Sequence, residues 1–236
     1  MGTVVVEVLV LGAVVLLAVA AVASRVAGAV PERRHRERLA GWARDHGWSY
    51  DRERPELVDR FEGDPFVEVR SNARARHVLC ARVGGYRVMA YEYSYTATRG
   101  QGRDSATTGH VHTVVAAAPP GPVPVLEVRA RGEGGPGPSA AGVREVRVGD
   151  AAFDGAFAVW AADGDFARRV LDEGVRAHLL GGGAVPVPFR FSRTHVLTWQ
   201  AGALDPGRAA ERARALVDLL ERVPGAAWSG RRDAVG

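Results

Sequence analysis

Residues 3–24 read TVVVEVLVLGAVVLLAVAAVAS, and Glu7 is the sole charged side chain among them. This run restricts the chain more than any other feature. As a helix rising about 1.5 Å per residue it reaches about 33 Å, enough to cross a hydrocarbon core of about 30 Å. Helix is the form lipid demands, because the bilayer interior offers the backbone no hydrogen-bond partners. Glu7 lies near the start of the run, where its carboxyl can reach headgroup depth. Residues 1–24 are therefore read as a transmembrane helix, and the chain as a single-pass membrane protein.

The charges beside the run orient it. No basic side chain precedes it, whereas Arg25, Arg33, Arg34, Arg36 and Arg38 follow. The positive-inside rule places that flank in the cytoplasm, with the N-terminus outside. Residues 25–47 read as an Arg-rich juxtamembrane helix. Pro31 suits its first turn, Gly47 its end, and Leu39, Trp42, Ala43 and His46 recur at helical spacing. Its arginines form a membrane-surface patch able to meet anionic headgroups, or they serve only to set topology. A cleaved signal peptide is the alternative, since Ala21-Val22-Ala23 has the small-x-small pattern of a cleavage site. The missing basic n-region and the long apolar run argue against it.

Composition limits the rest of the chain. The 236 residues are 47% hydrophobic and 25% charged, ordinary globular usage that excludes a wholly disordered chain and a multi-span one. A single cysteine, Cys80, excludes an internal disulfide framework and any Cys-based zinc cluster. Its lone thiol suits a reducing compartment. The net charge is +4, and every basic residue is arginine. Acidic residues are interspersed with the arginines, so a GC-rich codon bias explains the basicity better than a nucleic-acid partner does.

Residues 48–224 read as one soluble domain. Trp48–Tyr50 is a short strand and Pro55–Phe61 a short helix. His77–Val83 and Tyr86–Tyr95 flank Gly84-Gly85, the signature of a tight hairpin covered on both faces. That turn sets Leu79 opposite Ala90, Cys80 opposite Met89 and His77 opposite Glu92. Residues 96–109 are polar and read as a long loop, and 131–142 as a second flexible loop. Strands are expected at His110–Ala118, Val123–Ala130, Val143–Val148, Ala156–Ala162, Val185–Phe191 and Thr194–Gln200. A helix capped by Asp163 or Asp165 runs to Leu180, and another from Pro206 to Val223 is capped by Asp205 and stopped by Pro224. Residues 225–236 read as a disordered tail. Paired strands with few, late helices indicate an α+β fold with a mostly antiparallel sheet and two or three packed helices.

Chemistry is sparsely marked. His77 opposite Glu92 is a candidate acid–base pair, although such a cross-strand pair is more often structural. His110 and His112 share a strand face and offer half a metal site, but no third ligand stands at a recognisable spacing. Tyr91, Tyr93 and Tyr95 form an aromatic stripe that resembles a base-stacking platform, without the interleaved basic residues such a surface needs. Neither GxSxG, a phosphate-binding loop, GxGxxG nor SxxK occurs. No cofactor and no metal are expected.

Four stretches, LAGWARDHGWSY, YEYSYT, FDGAFAVWAADGDFARRVLDEGVRAHLL and HVLTWQAGALDP, resemble a family of uncharacterised membrane-anchored proteins of high-GC Gram-positive bacteria. The resemblance implies an N-terminal anchor and one α+β domain, and transfers no catalytic residue. The reading is a binding or adaptor domain at the cytoplasmic face of the cell membrane. Its partners are the bilayer and another membrane or cytoplasmic protein. A membrane-tethered hydrolase using the 96–112 region is the alternative, and a secreted domain released by signal cleavage is another. Asp154 is expected to bond backbone amides in a local turn.

Overall fold

A computed structural model describes residues 32–66, 70–99, 106–132, 142–183, 185 and 187–228. The apolar run at 3–24 and Arg25 lie outside these residues, as does most of the 131–142 segment. Among the described residues no helix is long and apolar enough to cross a membrane.

The strands build one nine-stranded antiparallel sheet. They are β1 (Ser49–Glu53), β2 (Ser71–Val83), β3 (Tyr86–Arg99), β4 (Ala106–Ala117), β5 (Val123–Ala130), β6 (Arg144–Glu145), β7 (Phe157–Ala161), β8 (Phe189–Arg193) and β9 (His195–Ala201). Their order across the sheet is β1-β2-β3-β4-β9-β8-β5-β7-β6. The helices are α1 (residues 32–45), α2 (Ala151–Ala156), α3 (Gly164–Val170), α4 (Glu173–Leu180), α5 (Pro206–Arg222) and α6 (Gly225–Trp228), and Pro55–Leu57 is a single 3-10 turn. The α+β class and the antiparallel sheet match the sequence expectation.

Alternation along the strands divides the apolar residues between two faces. On one, Leu79, Ala90, Val115, Leu126, Phe189 and Val196 pack with helix residues such as Leu39, Phe166, Leu216 and Leu220. On the other, Val78, Tyr91, Tyr93, Val114 and Leu197 pack under Leu57, Phe61 and Phe66 from the β1–β2 connection. The β2–β3 hairpin is thus covered on both sides, as read from sequence. Its Gly84 and Gly85 both have positive φ, 54° and 84°, as a tight turn requires. A Cβ on Gly84 would also lie 3.1 Å from Val217 and Glu221 of α5, so the turn lets the last helix approach.

Several boundaries differ from expectation. Residues 96–99 and 106–109 are not loop: β3 and β4 continue, pairing Thr96 with Gly109, Ala97 with Thr108 and Thr98 with Thr107. β-Branched threonines suit a strand without an apolar face, and the Thr98 and Thr107 hydroxyls hydrogen-bond at 3.0 Å. The 163–180 helix is two helices. Leu171 leaves helical geometry, and Asp172 caps the second by accepting from Val175 N. A short helix, α2, precedes β7, capped by Asp150. Asp154 accepts from Val148 N and Gly149 N, the local role expected of it. Val143–Val148 contributes only the two-residue β6, and Val185–Phe191 pairs only from Phe189 onward. Residues 225–228, read as tail, form α6, whose Trp228 ring packs 6.3 Å from Phe191.

The Arg-rich helix is not a free appendage. Leu39 and Ala43 of α1 are fully buried against the sheet, whereas Arg34 and Arg38 face solvent. Replacing Leu39 with Ala should lower unfolding free energy by about 2–5 kcal/mol, the cost of an unfilled core site, measured by urea unfolding of the full chain. Arg34→Ala in the same assay should leave the midpoint unchanged.

Candidate functional site

The sequence pairs His77 with Glu92, and the structure corrects that pairing. A β-bulge shifts the register so that Arg76, not His77, stands opposite Glu92. His77 takes the left-handed conformation, with φ 53°, unusual for a non-glycine residue. Its ring then turns toward α1 and β1. Nδ1 bonds the Tyr50 hydroxyl at 2.8 Å, and Nε2 lies 3.1 Å from Glu32 Oε1.

Glu92 finds a different histidine. His35 Nε2 of α1 lies 2.8 Å from Glu92 Oε1, and Leu204 N donates to the same oxygen at 2.9 Å. The His35 and His77 rings meet edge to face, 4.9 Å between centroids. Arg38 Nη2 reaches His35 Nδ1 at 3.0 Å, while Arg76 Nη1 stands 3.6 Å from Glu32. Helix α1, the β2 bulge and the centre of β3 thus converge on one polar cluster at the edge of an apolar core. His77 and Glu92 are nearly inaccessible to water. Burial holds the His77 imidazole below its usual range, outweighing the pull of Glu92 and Glu32. Sequence reasoning missed His35 because it sits within an arginine run that reads as membrane flank. The helical spacing His35-Leu39 was the signal that placed it on the buried side.

Of the five flanking arginines, four are described. Arg33 is exposed and pairs with Glu37 at 2.8 Å. Arg34 and Arg38 are exposed, and Arg36 is half-buried. Arg33's charge is thus offset on the helix itself.

His110 and His112 lie elsewhere, on the opposite sheet face. Their rings stack with Tyr95, at 4.8 and 6.0 Å between centroids. No third metal ligand joins them among the described residues. His112 lines a recess of about 290 Å³ with Tyr95, Trp199, Pro65, Pro188, Asp64 and Arg129. Its buried Nδ1 has no hydrogen-bond partner among the described residues. Burial, and secondarily His110, keeps this imidazole neutral further into acid. Among the described residues, the recess is lined by aromatic, charged and proline side chains and by no serine, threonine or cysteine.

Beside the recess, Glu127 is wholly buried and is bonded by both Arg129 and Arg190. Arg129 also reaches Asp64 at 3.1 Å, and Arg190 bonds the Glu62 carbonyl while its guanidinium lies 4.8 Å from the Trp199 ring centroid. This set ties the β1–β2 connection to β5 and β8. The tyrosine stripe is core, not a stacking platform: Tyr91 and Tyr93 are fully buried, and Phe66 packs 4.7 Å from Tyr93. Burial pushes the Tyr93 phenol up to about 12.

A comparison with protein families finds no match, and one with curated proteins finds none either. Among solved structures, the chain is similar to the mycobacterial trehalose monomycolate transport factor A, TtfA. The TM-score is 0.58 at 20% identity, over 80% of this chain and 96% of that one. At that identity the likeness establishes a shared fold.

This geometry yields two expected outcomes. Glu127→Ala leaves two buried guanidinium groups without their carboxylate, and should cost about 3–5 kcal/mol in urea unfolding. His195 is the second case. Burial, with Arg60 and Arg87 nearby, lowers its imidazole to about 4. Because the unfolded chain takes up that proton first, near its ordinary pKa of about 6.5, stability is full above that pH and falls as pH drops toward 4. Urea midpoints measured across that window should decline, and His195→Gln should flatten the decline.

Proposed function

We propose that this chain is a single-pass, membrane-anchored binding protein that serves as an accessory to membrane transport proteins, with its sheet domain at the cytoplasmic surface. The observation that carries this reading is how near, in sequence, the apolar run stands to α1. Only the seven residues 25–31 separate it from α1. Fully extended, they reach about 25 Å at most. Leu39 and Ala43 set α1 into the core, so an anchored run would tether the domain by a short lead. An anchor at 3–24 would hold the whole sheet next to the bilayer. There, exposed Arg34 and Arg38, with Arg25 ahead of them, would meet anionic headgroups.

The fold shared with TtfA supports the transport-accessory part of the reading. A domain with recesses and paired faces, held close to the bilayer, suits a partner that is itself embedded there. Against the hydrolase alternative, residues 96–99 and 106–112 are paired strand rather than an open loop.

Fractionation of cells expressing the full chain should place it in the membrane pellet, and deletion of residues 1–24 should move it to the supernatant. A C-terminal topology reporter should read cytoplasmic, and affinity capture from detergent extracts should recover an integral membrane transport protein. Mature protein in culture fluid beginning near Ser24 would overturn the anchor. A reporter active only outside the cell would overturn the orientation, and capture free of membrane transport proteins the accessory role.

A further inference from the structure

We propose that His35, His77 and Glu92 form a binding site for a divalent transition-metal ion, zinc foremost, that clamps α1 to the sheet. The ligand atoms of these three residues all lie within 4.8 Å of one another. In a tetrahedral zinc centre with bonds of about 2.0–2.1 Å, ligand atoms stand about 3.4 Å apart. His35 Nε2 and Glu92 Oε1, at 2.8 Å, are already closer than that, and need only part to admit the ion.

The surroundings have the form of a ligand site more than of an ordinary polar contact. His77 is turned toward the cluster by a bulge in left-handed backbone, an unfavourable conformation that persists where neighbours enforce it. Its Nδ1 is held by the Tyr50 hydroxyl. That outer hydrogen bond fixes ring orientation and leaves Nε2 to the metal. Glu92 is similarly fixed, by Leu204 N. Glu32 Oε1 lies 3.1 Å from His77 Nε2 at the edge of the cluster, and it or a water would complete the coordination. The Glu92 carboxylate, buried beside His77, supplies negative charge toward a divalent ion on the inner side of the cluster, while Glu32 is open to solvent on the outer side. Arg38, on the outer side of His35, is exposed and turns to solvent when Nδ1 becomes a donor.

The ligands come from three elements: Glu32 and His35 from α1, His77 from β2 and Glu92 from β3. Such an ion would bind the folded arrangement only, so it would lock α1 onto the sheet and raise stability by mass action. His110 and His112 are not part of this site.

The test uses the full chain purified in detergent, stripped with EDTA, dialysed against excess zinc chloride and then washed. Elemental analysis should find about one zinc per chain, and the melting temperature should rise with zinc. Cobalt(II) should give the intense visible bands of a tetrahedral site. His35→Gln keeps an amide donor toward Glu92, so circular dichroism should show the native fold while zinc affinity falls about 100-fold or more. His77→Gln should do the same, and His110→Gln should change nothing. Zinc absent from the washed wild-type chain would overturn the proposal. So would zinc retained unchanged by folded His35→Gln and His77→Gln variants.

Discussion

The seating of α1 on the sheet is the interaction from which the rest of the architecture takes its meaning. Leu39 and Ala43 give it an apolar footing, and the contact of His35 with buried Glu92 gives it direction. An apolar contact alone tolerates sliding along the sheet, because burial is non-directional. The carboxylate, also held by Leu204 N, admits few positions for the imidazole. Helix α1 is therefore held at a fixed point of the domain.

The opposite face is organised on other terms. There the β1–β2 connection covers the sheet with Leu57, Phe61 and Phe66, and a buried carboxylate shared by two arginines fastens it to the distant β5 and β8. Buried charge of this kind is costly to assemble, and its worth lies in geometry. Glu127 accepts from side chains of two strands, so it holds β5 and β8 in one register while Arg129 reaches out to Asp64. The recess beside Tyr95, His112 and Trp199 is the space these constraints leave.

The two faces differ in what they present. One is an apolar core roofed by helices, with its polar groups gathered at the α1 edge. The other is a mixed aromatic and charged surface under a loop. The similarity to TtfA establishes that this sheet-and-helix arrangement is one that a mycobacterial chain also adopts at only 20% identity.

Local chemistry made much of the fold legible from sequence. The Gly84-Gly85 turn, the Asp205 cap, the alternation in β2 and β3 and the role of Asp154 all depend on neighbours a few residues away. Boundaries blurred where local preference is neutral, as at Thr96–Thr98, whose strand form depends on a partner strand. The candidate site was half visible. His77 and Glu92 stood out, but their partnership did not survive, because a bulge slips the register and no pattern of period two announces it. His35 was hidden in a charge run, and its role exists only once α1 lies on β3. Periodicity and turn chemistry act through adjacent residues, so sequence alone determined the main strands, the last long helix and the apolar run. Pairing between buried polar groups depends on which surfaces meet, and tertiary packing alone decided that.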